Sequence, residues 1–290
     1  MRHKDFPALY LAADEAAIET QSTLLCLHKC NNVLLITGAV VASTCGESKI
    51  GAMAAAAIFF GSLGFYVYGQ VNNLQSKWYK TRALAESIKT STWRFVMHAE
   101  PFNIPLADCR LEFQRLLKQL LDGNTGIAVE LAGQLAEHDS VTAGMISLQE
   151  SSFTEKKETY RVARINEQHA WYAKKAEFNK RSSRKWFCLL VCLYVLAIGF
   201  LLMRVAYPLA GYLPVDAIAV AAGCTIGWMQ LKRFSELASA YGLTAHEISI
   251  IKIKFESLLD ADALASFVKD AESAFSREHT QWAARQDHLV

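Results

Sequence analysis

Apolar positions along the chain gather into four stretches that fall in two pairs, with a polar and basic middle between the pairs. The first stretch is Val33–Cys45 (VLLITGAVVASTC). It is short, and extending it backwards through Leu24, Leu25 and Leu27 admits His28, Lys29, Asn31 and Asn32. The second, Ile50–Val71, has 22 residues and no charge. As a helix it would reach about 33 Å, against a hydrocarbon core of about 30 Å. The third, Trp186–Met203, has 18 residues and no charge, and the fourth, Leu213–Met229, has one acid, Asp216, near its start. Uncharged runs this long are rare in soluble cores, so the second and third predict membrane spans. The pairing predicts four spans arranged as two hairpins, at about 30–46 with 50–71 and about 186–203 with 213–229. The first stretch, short and rich in small residues, also fits a buried core helix.

Outside these stretches the pattern is helical throughout. Val67, Val71, Leu74, Trp78, Thr81, Ala85, Ile88, Thr92 and Phe95 step 4-3-4-3, one stripe on one continuous helix that Glu100-Pro101 ends. Gly227, Leu231, Phe234, Ala238 and Tyr241 repeat the step after the fourth stretch. Further stripes run through Ile248, Ile251, Phe255 and Leu258, and through Leu264, Val268, Ala271 and Phe275. No Gly or Pro interrupts Thr154–Ile198, which predicts an unbroken helix into the third stretch. Asp108 is placed to cap a helix stopped by Asp122-Gly123-Asn124, 127–138 reads as an amphipathic segment, and Ser140-Val141-Thr142 starts another helix. The fold class predicted is an all-α membrane protein, with two transmembrane hairpins continuing into a cytoplasmic helical bundle. Residues 1–150 form the first two-span unit and 151–290 the second. The halves echo each other weakly: Trp78 and Trp228, and Glu86 and Glu236, recur at one offset, each Trp followed by Lys or Arg.

Charge fixes the expected orientation. Residues 72–185 carry 18 Lys and Arg and residues 231–290 carry seven, whereas the tips at 46–49 and 204–212 carry one each. Basic flanks stay on the cytoplasmic side, which puts both termini and the whole middle segment in the cytoplasm of an inner-membrane, multi-pass protein. Trp78, Trp186 and Trp228 sit at the expected interfaces as anchors. A net charge of +2 is no nucleic-acid footprint. Seven cysteines without regular spacing argue against a disulfide framework.

Catalytic chemistry is thin. His246-Glu247 lacks the second zinc histidine, and Cys26, His28 and Cys30 have no second ligand pair. No phosphate loop or nucleophile elbow occurs. The reading is therefore no enzyme, with no catalytic residue, cofactor or metal. The second and third stretches hold no ionisable group at membrane depth, which disfavours an ion-coupled carrier. The second and fourth stretches hold ladders of small residues: Ala57 and Gly61 on the second, and Ala219, Gly223 and Gly227 every four on the fourth, are candidate helix-packing positions. The leucine-rich third stretch reads as the lipid-facing member. Thr37, Ser43, Thr44, Ser62 and Tyr66 are candidate pore-lining or gating residues, against the plainer reading that the hydroxyls bond their own backbone and Tyr anchors an interface. Arg82–Glu86, an i,i+4 pair, reads as a solvated face or as a joint between the exit helix and the second half.

Several motifs resemble a known family. Tyr79–Phe95 (YKTRALAESIKTSTWRF), with Arg82, Glu86 and Trp93, followed by Ala99-Glu-Pro-Phe102 with Glu100, resembles the SLATT proteins. The opening Ala8–Asp14 (ALYLAAD) through Gln21 is similar to the start of one SLATT subfamily. Arg164–Gln168 (RINEQ), Trp171, Tyr172, Lys232–Tyr241 with Glu236, and Glu247 resemble another. One departure is Lys156-Lys157, where that pattern leads one to expect an arginine before Tyr160. The resemblance implies a tandem of two-span effector units from a bacterial antiphage conflict system. Such a protein would oligomerise in the lipid bilayer and open a pore on a cytoplasmic signal, from a sensor protein or a cyclic nucleotide. Two alternatives stay open on the residues alone: a non-conducting scaffold that recruits a cytoplasmic partner, and an ordinary uncoupled channel or transporter.

Overall fold

A computed structural model describes residues 1–127, 131, 139–208 and 211–287, with side chains over the same ranges except at 106, 107 and 276–287. Among them every regular element is helical. After a 3-10 turn at His3–Asp5 come α1 (Ala8–Cys45), α2 (Lys49–Val71), α3 (Leu74–Val96) and α4 (Leu106–Asp122). Then follow α5 (Ala143–Glu150), α6 (Phe153–Tyr160), a π-helical segment (Arg161–Asn166), α7 (Glu167–Ala206), α8 (Val215–Lys232), α9 (Phe234–Glu256) and α10 (Ala261–Asp287). The amphipathic segment expected over 127–138 lies, apart from Ile127 and Leu131, outside the described residues.

Local chemistry accounts for the boundaries. Ser48 Oγ accepts the Gly51 N–H at 3.0 Å and caps α2. Thr142 and Ser152 cap α5 and α6 in the same way, and Asp260 Oδ1 accepts from Ala263 N–H at 2.8 Å at the start of α10. Pro105 precedes α4, so Asp108 falls in its first turn and complements the dipole there instead of capping it.

Among the described residues three helical runs, not the four expected, are long and apolar enough to cross a membrane: Ala8–Cys45, Lys49–Val96 and Phe153–Ala206. The fourth stretch folds as α8, but Pro214 and the left-handed Arg233 confine it to 18 residues. Asp216 in its first turn and Lys232 in its last both lie inside that length. The exit helices are also broken where one stripe predicted continuity. Asn73 (φ 49°) separates α2 from α3, and Arg233 (φ 46°) separates α8 from α9. Asn tolerates the left-handed region, and Asn72 Nδ2 donates to the Tyr68 carbonyl at 2.9 Å to close the end of α2. These matching breaks pair Asn73 with Arg233, which is not the pairing that the two tryptophans suggest. The helix expected over 154–198 is likewise interrupted, by the π segment, which turns Arg164 and Ile165 inward.

The chain divides into two compact units, each taking segments from both halves. One comprises residues 1–22, 74–170 and 246–290. Its core is aromatic. Phe95, Phe102 and Phe113 stack with centroids 4.6–5.7 Å apart, and Tyr160 meets Phe255 and Phe267 at 6.0 and 6.5 Å. Fully burying each such ring from water is worth about 1.5–3 kcal/mol. α10 packs along α3, which also carries α4 and α5. Gln149 Nε2 donates to the Phe95 carbonyl at 3.2 Å and ties α5 to the end of α3.

The other unit comprises residues 23–73 and 171–245. In it α1 and α2 form a tight hairpin: a Cβ on Gly51 would stand 1.9 Å from the Cys45 carbonyl oxygen, and one on Gly38 would stand 2.9 Å from the Phe59 ring. α8 turns Ala217, Ala222 and Thr225 inward. None of the most apolar stretch of Phe153–Ala206 is buried.

Candidate functional site

Polar chemistry concentrates in two places. The first lies in the apolar unit. Ser62, 3% exposed, donates to Asn31 Oδ1 at 2.8 Å, joining α2 to α1. The Asn32 carbonyl accepts from the Cys224 thiol of α8 at 4.0 Å. The Tyr212 hydroxyl lies 2.5 Å from Ser43 Oγ, which itself donates to the Ala39 carbonyl at 2.7 Å. Where hydrocarbon supplies no competing water, such bonds are worth about 0.6–2 kcal/mol each. Trp186 and Trp228 stand 6.1 Å apart, and Trp228 has Lys29 Nζ at 6.0 Å and Lys232 Nζ at 5.9 Å from its ring centroid. Residues from α1, α7 and α8 thus form one aromatic and basic belt.

The candidate lining residues divide by environment. Ser62 is buried against Asn31, and Ser43 and Thr44 bond back to their own helix, Thr44 Oγ1 donating to the Val40 carbonyl at 2.7 Å. Thr37 and Tyr66 face outward. Of the packing candidates, Gly61 faces Leu34 at ordinary contact distance. Ala219, Gly223 and Gly227 share an exposed face, and nothing lies within 4 Å of a Cβ built on either glycine. Asn31, Asn32 and Tyr212 were not singled out from the sequence; two adjacent amides at the edge of an apolar run were the available signal.

The second place lies in the other unit. Glu272 on α10 is fully buried and receives Arg164 through two bonds, Nε to Oε1 at 2.8 Å and Nη2 to Oε2 at 2.6 Å. Tyr160 OH donates to the same Oε1 at 2.8 Å. The side chains of Arg164 and Glu272 are 1% and 0% exposed, and the guanidinium stacks over Phe275 at 4.9 Å. Burial, reinforced by the Glu272 charge, pushes the Tyr160 phenol well above its usual range. Trp93 meets Tyr160 edge-on at 5.5 Å and Phe6 at 6.3 Å. Arg164 Nη1 and Trp93 Nε1 have no bonding partner among the described residues. Glu272 and Tyr160 escaped the sequence reading; a lone acid beside Ala271 on an apolar stripe was the only local sign.

A second charged group borders this core. Arg82 reaches Glu86 at 2.5 Å and also Asp14 of α1 at 3.1 Å. This pair therefore ties the exit helix to the first helix. The links from α3 to the second half run through Trp93, through Arg94, which donates to Ser273 Oγ at 2.7 Å, and through Glu100, which pairs with Lys269. Burial, with the neighbouring Arg164 charge, lowers the Lys89 ammonium. The phenol of Tyr10 is raised by burial and by Asp14 and Glu86.

The remaining motif residues also come together. Trp171 and Tyr172 on α7 both meet Tyr241 of α9, at 5.4 and 5.6 Å, and Arg233 pairs with Glu236. Trp78 stacks on its neighbour Tyr79 at 4.6 Å. The two departing lysines do different work. Lys157 Nζ donates to the carbonyls of Leu258 at 2.7 Å and Glu256 at 3.2 Å, whereas Lys156 lines a cavity beside His98.

Compared with known families, residues 7–157 match SMODS and SLOG-associating 2TM effector domain 3, and residues 160–282 match SMODS and SLOG-associating 2TM effector domain 1. Neither the curated proteins nor the solved structures hold a match. The two matched regions meet between Lys157 and Tyr160, immediately before the π segment that carries Arg164.

Proposed function

The chain belongs to the SLATT family, as two SMODS and SLOG-associating 2TM effector domains in tandem, and we propose that it is an oligomeric inner-membrane effector of a bacterial antiphage system, forming or opening a pore on a cytoplasmic signal. The observation that carries this reading is the apolar unit. It buries Ser62 and Thr225, bonds Ser62 to the half-buried Asn31, and leaves no residue of the most apolar stretch of α7 buried. A surface of that kind asks for lipid or for other copies of the chain.

In this reading α8 serves as the fourth span. Its 18 residues reach about 27 Å, and Lys232 can extend its ammonium to the headgroups. The Lys29, Trp186, Trp228 and Lys232 belt marks the cytoplasmic interface, which keeps both termini in the cytoplasm. The exposed Ala219, Gly223 and Gly227 face would let backbones of neighbouring copies approach closely. Thr37 and Tyr66, outward within one copy, become the wettable positions of an assembly. The signal would come from a sensor protein or a cyclic nucleotide.

The test is release of a trapped dye from anionic liposomes that hold the purified full chain, with candidate cyclic nucleotides added outside or inside. Triggered release supports the reading. Vesicles that stay tight under every trigger, while a cytoplasmic protein binds the same liposomes, would replace the pore with a scaffold.

A further inference from the structure

The polar unit contains a cavity of about 600 Å³ that no feature of the effector reading uses. Its walls come from three segments: the connection after α3 (Met97, His98, Ile104), the start of α6 (Phe153, Lys156) and the first turns of α10 (Leu264, Lys269). The floor is partly apolar and the rim, with Glu100, Asn103 and Asp262, is exposed. The size falls in the range of small-molecule sites. The first two segments belong to the first matched domain and the third to the second, so a ligand here touches both.

The charges inside are not balanced pair by pair. Lys269 is engaged by Glu100 and lies beside the Arg94 to Ser273 contact. Lys156 is half-buried and its ammonium has no ion-pair or hydrogen-bond partner among the described residues. Burial lowers its ammonium, the mark of a cation held partly out of water without a counter-charge. His98 stands next to it, held by a left-handed backbone at φ 54°. Its Nδ1 donates to the Phe102 carbonyl at 3.0 Å. Burial and the Lys156 charge lower its affinity for a second proton, so Nε2 carries a lone pair at neutral pH. The cavity thus offers one unengaged cation and one unengaged acceptor side by side. Asp262 at the rim adds a second acceptor and opposes highly charged anions.

We propose that this cavity binds a small organic anion that also carries an N–H or O–H donor, its negative group on Lys156 Nζ and its donor on His98 Nε2. Amino acids and aminopurine nucleotides share that chemistry, and the experiment separates them. The full chain in detergent is titrated by calorimetry with glutamate, with adenosine monophosphate and with inorganic phosphate. One of the two organic probes should bind saturably with a dissociation constant below about 1 mM. Inorganic phosphate, whose O–H sits on the same compact centre as its charge and which has no apolar body, should bind at least about tenfold more weakly. Lys156→Gln should weaken the organic probe about tenfold without changing the melting temperature, His98→Asn, which tolerates the left-handed backbone, should weaken it similarly, and Lys156→Arg should retain it. The proposal fails if no probe saturates by about 10 mM, if phosphate binds as well as the organic probes, or if Lys156→Gln binds like the wild type. The readout is heat of binding, so a chain that never permeabilises a membrane leaves this inference standing, and the converse also holds.

Discussion

Replacing Glu272 by glutamine keeps the shape of the side chain and removes its charge, leaving Arg164 buried against a neutral amide. The structure sets the magnitude. The two side chains are 0% and 1% exposed, and two short bonds join them, with a third from Tyr160 to the same carboxylate. Removing one partner of such a pair costs about 3–5 kcal/mol, because the remaining charge keeps its desolvation penalty and loses its compensation. At about 2–4 °C per kcal/mol, E272Q should lower the melting temperature of the detergent-purified chain by on the order of 10 °C. Two controls identify the cause. Glu177→Gln breaks an exposed i,i+4 pair with Arg181 and should leave the melting temperature unchanged. The double replacement Arg164→Met with Glu272→Leu removes both charges and should recover most of the loss, since apolar residues of similar volume often replace a buried pair at little cost. If E272Q melts with the wild type, or if the double variant is no better than E272Q, the account of this core as a compensated charge pair is wrong.

The phenols make alkaline pH a second probe of the same core. The unfolded chain releases tyrosine protons near pH 10, whereas burial makes folded Tyr10 and Tyr160 hold theirs to higher pH. Stability is therefore complete below about pH 10 and falls above it by about 1.4 kcal/mol per unit for each phenol. Tyr160→Phe should flatten that decline in denaturant titrations between pH 10 and 11, and an unchanged slope would remove Tyr160 from the account. In the apolar unit, Gly51→Ala should sharply reduce folded yield, because its methyl would stand 1.9 Å from the Cys45 carbonyl oxygen, while Gly64→Ala, with nothing within 4 Å, should behave as wild type. Size-exclusion profiles in detergent distinguish the two. Ser62→Ala strands Asn31 and should cost about 0.6–1.7 kcal/mol in unfolding within detergent, with no effect expected if the two side chains do not meet.

The helical class and the exit stripes were legible because a 3.6-residue period survives in a single sequence. The breaks in those helices were not. Asn73 and Arg233 take left-handed conformations without glycine, and the π segment at Arg161–Asn166 contains neither Gly nor Pro, so the Asn72-Asn73 pair is the one local hint among the three. The fourth stretch fell short of the other three for a related reason. An apolar stretch was measured by its letters, whereas the helix that forms is bounded by Pro214 and Arg233 and carries Asp216 and Lys232 within it. The belt was half legible. Trp186 and Trp228 meet within it, but its third member is Lys29 from the first hairpin, and no spacing rule reaches from residue 29 to residue 228.

The candidate sites divide along the same line between local and long-range information. Arg82 with Glu86 was readable as an i,i+4 pair, yet its further bond to Asp14 depends on α1 lying beside α3. Tyr160, Arg164 and Glu272 form the most buried polar group described, and each looks ordinary in its own stretch. What makes them a group is the position of the chain's duplication. Tyr160 and Arg164 stand at the first residues of the second matched domain, and Glu272 stands near its end. Trp93, from the first domain, packs edge-on against Tyr160. The charge pair therefore closes the second domain on itself while the indole fixes that closure to the first. A tandem built this way cannot move α10 away from the π segment without baring Arg164, so any signal that displaces α10 must supply the energy of breaking a buried pair or a substitute for the Glu272 carboxylate.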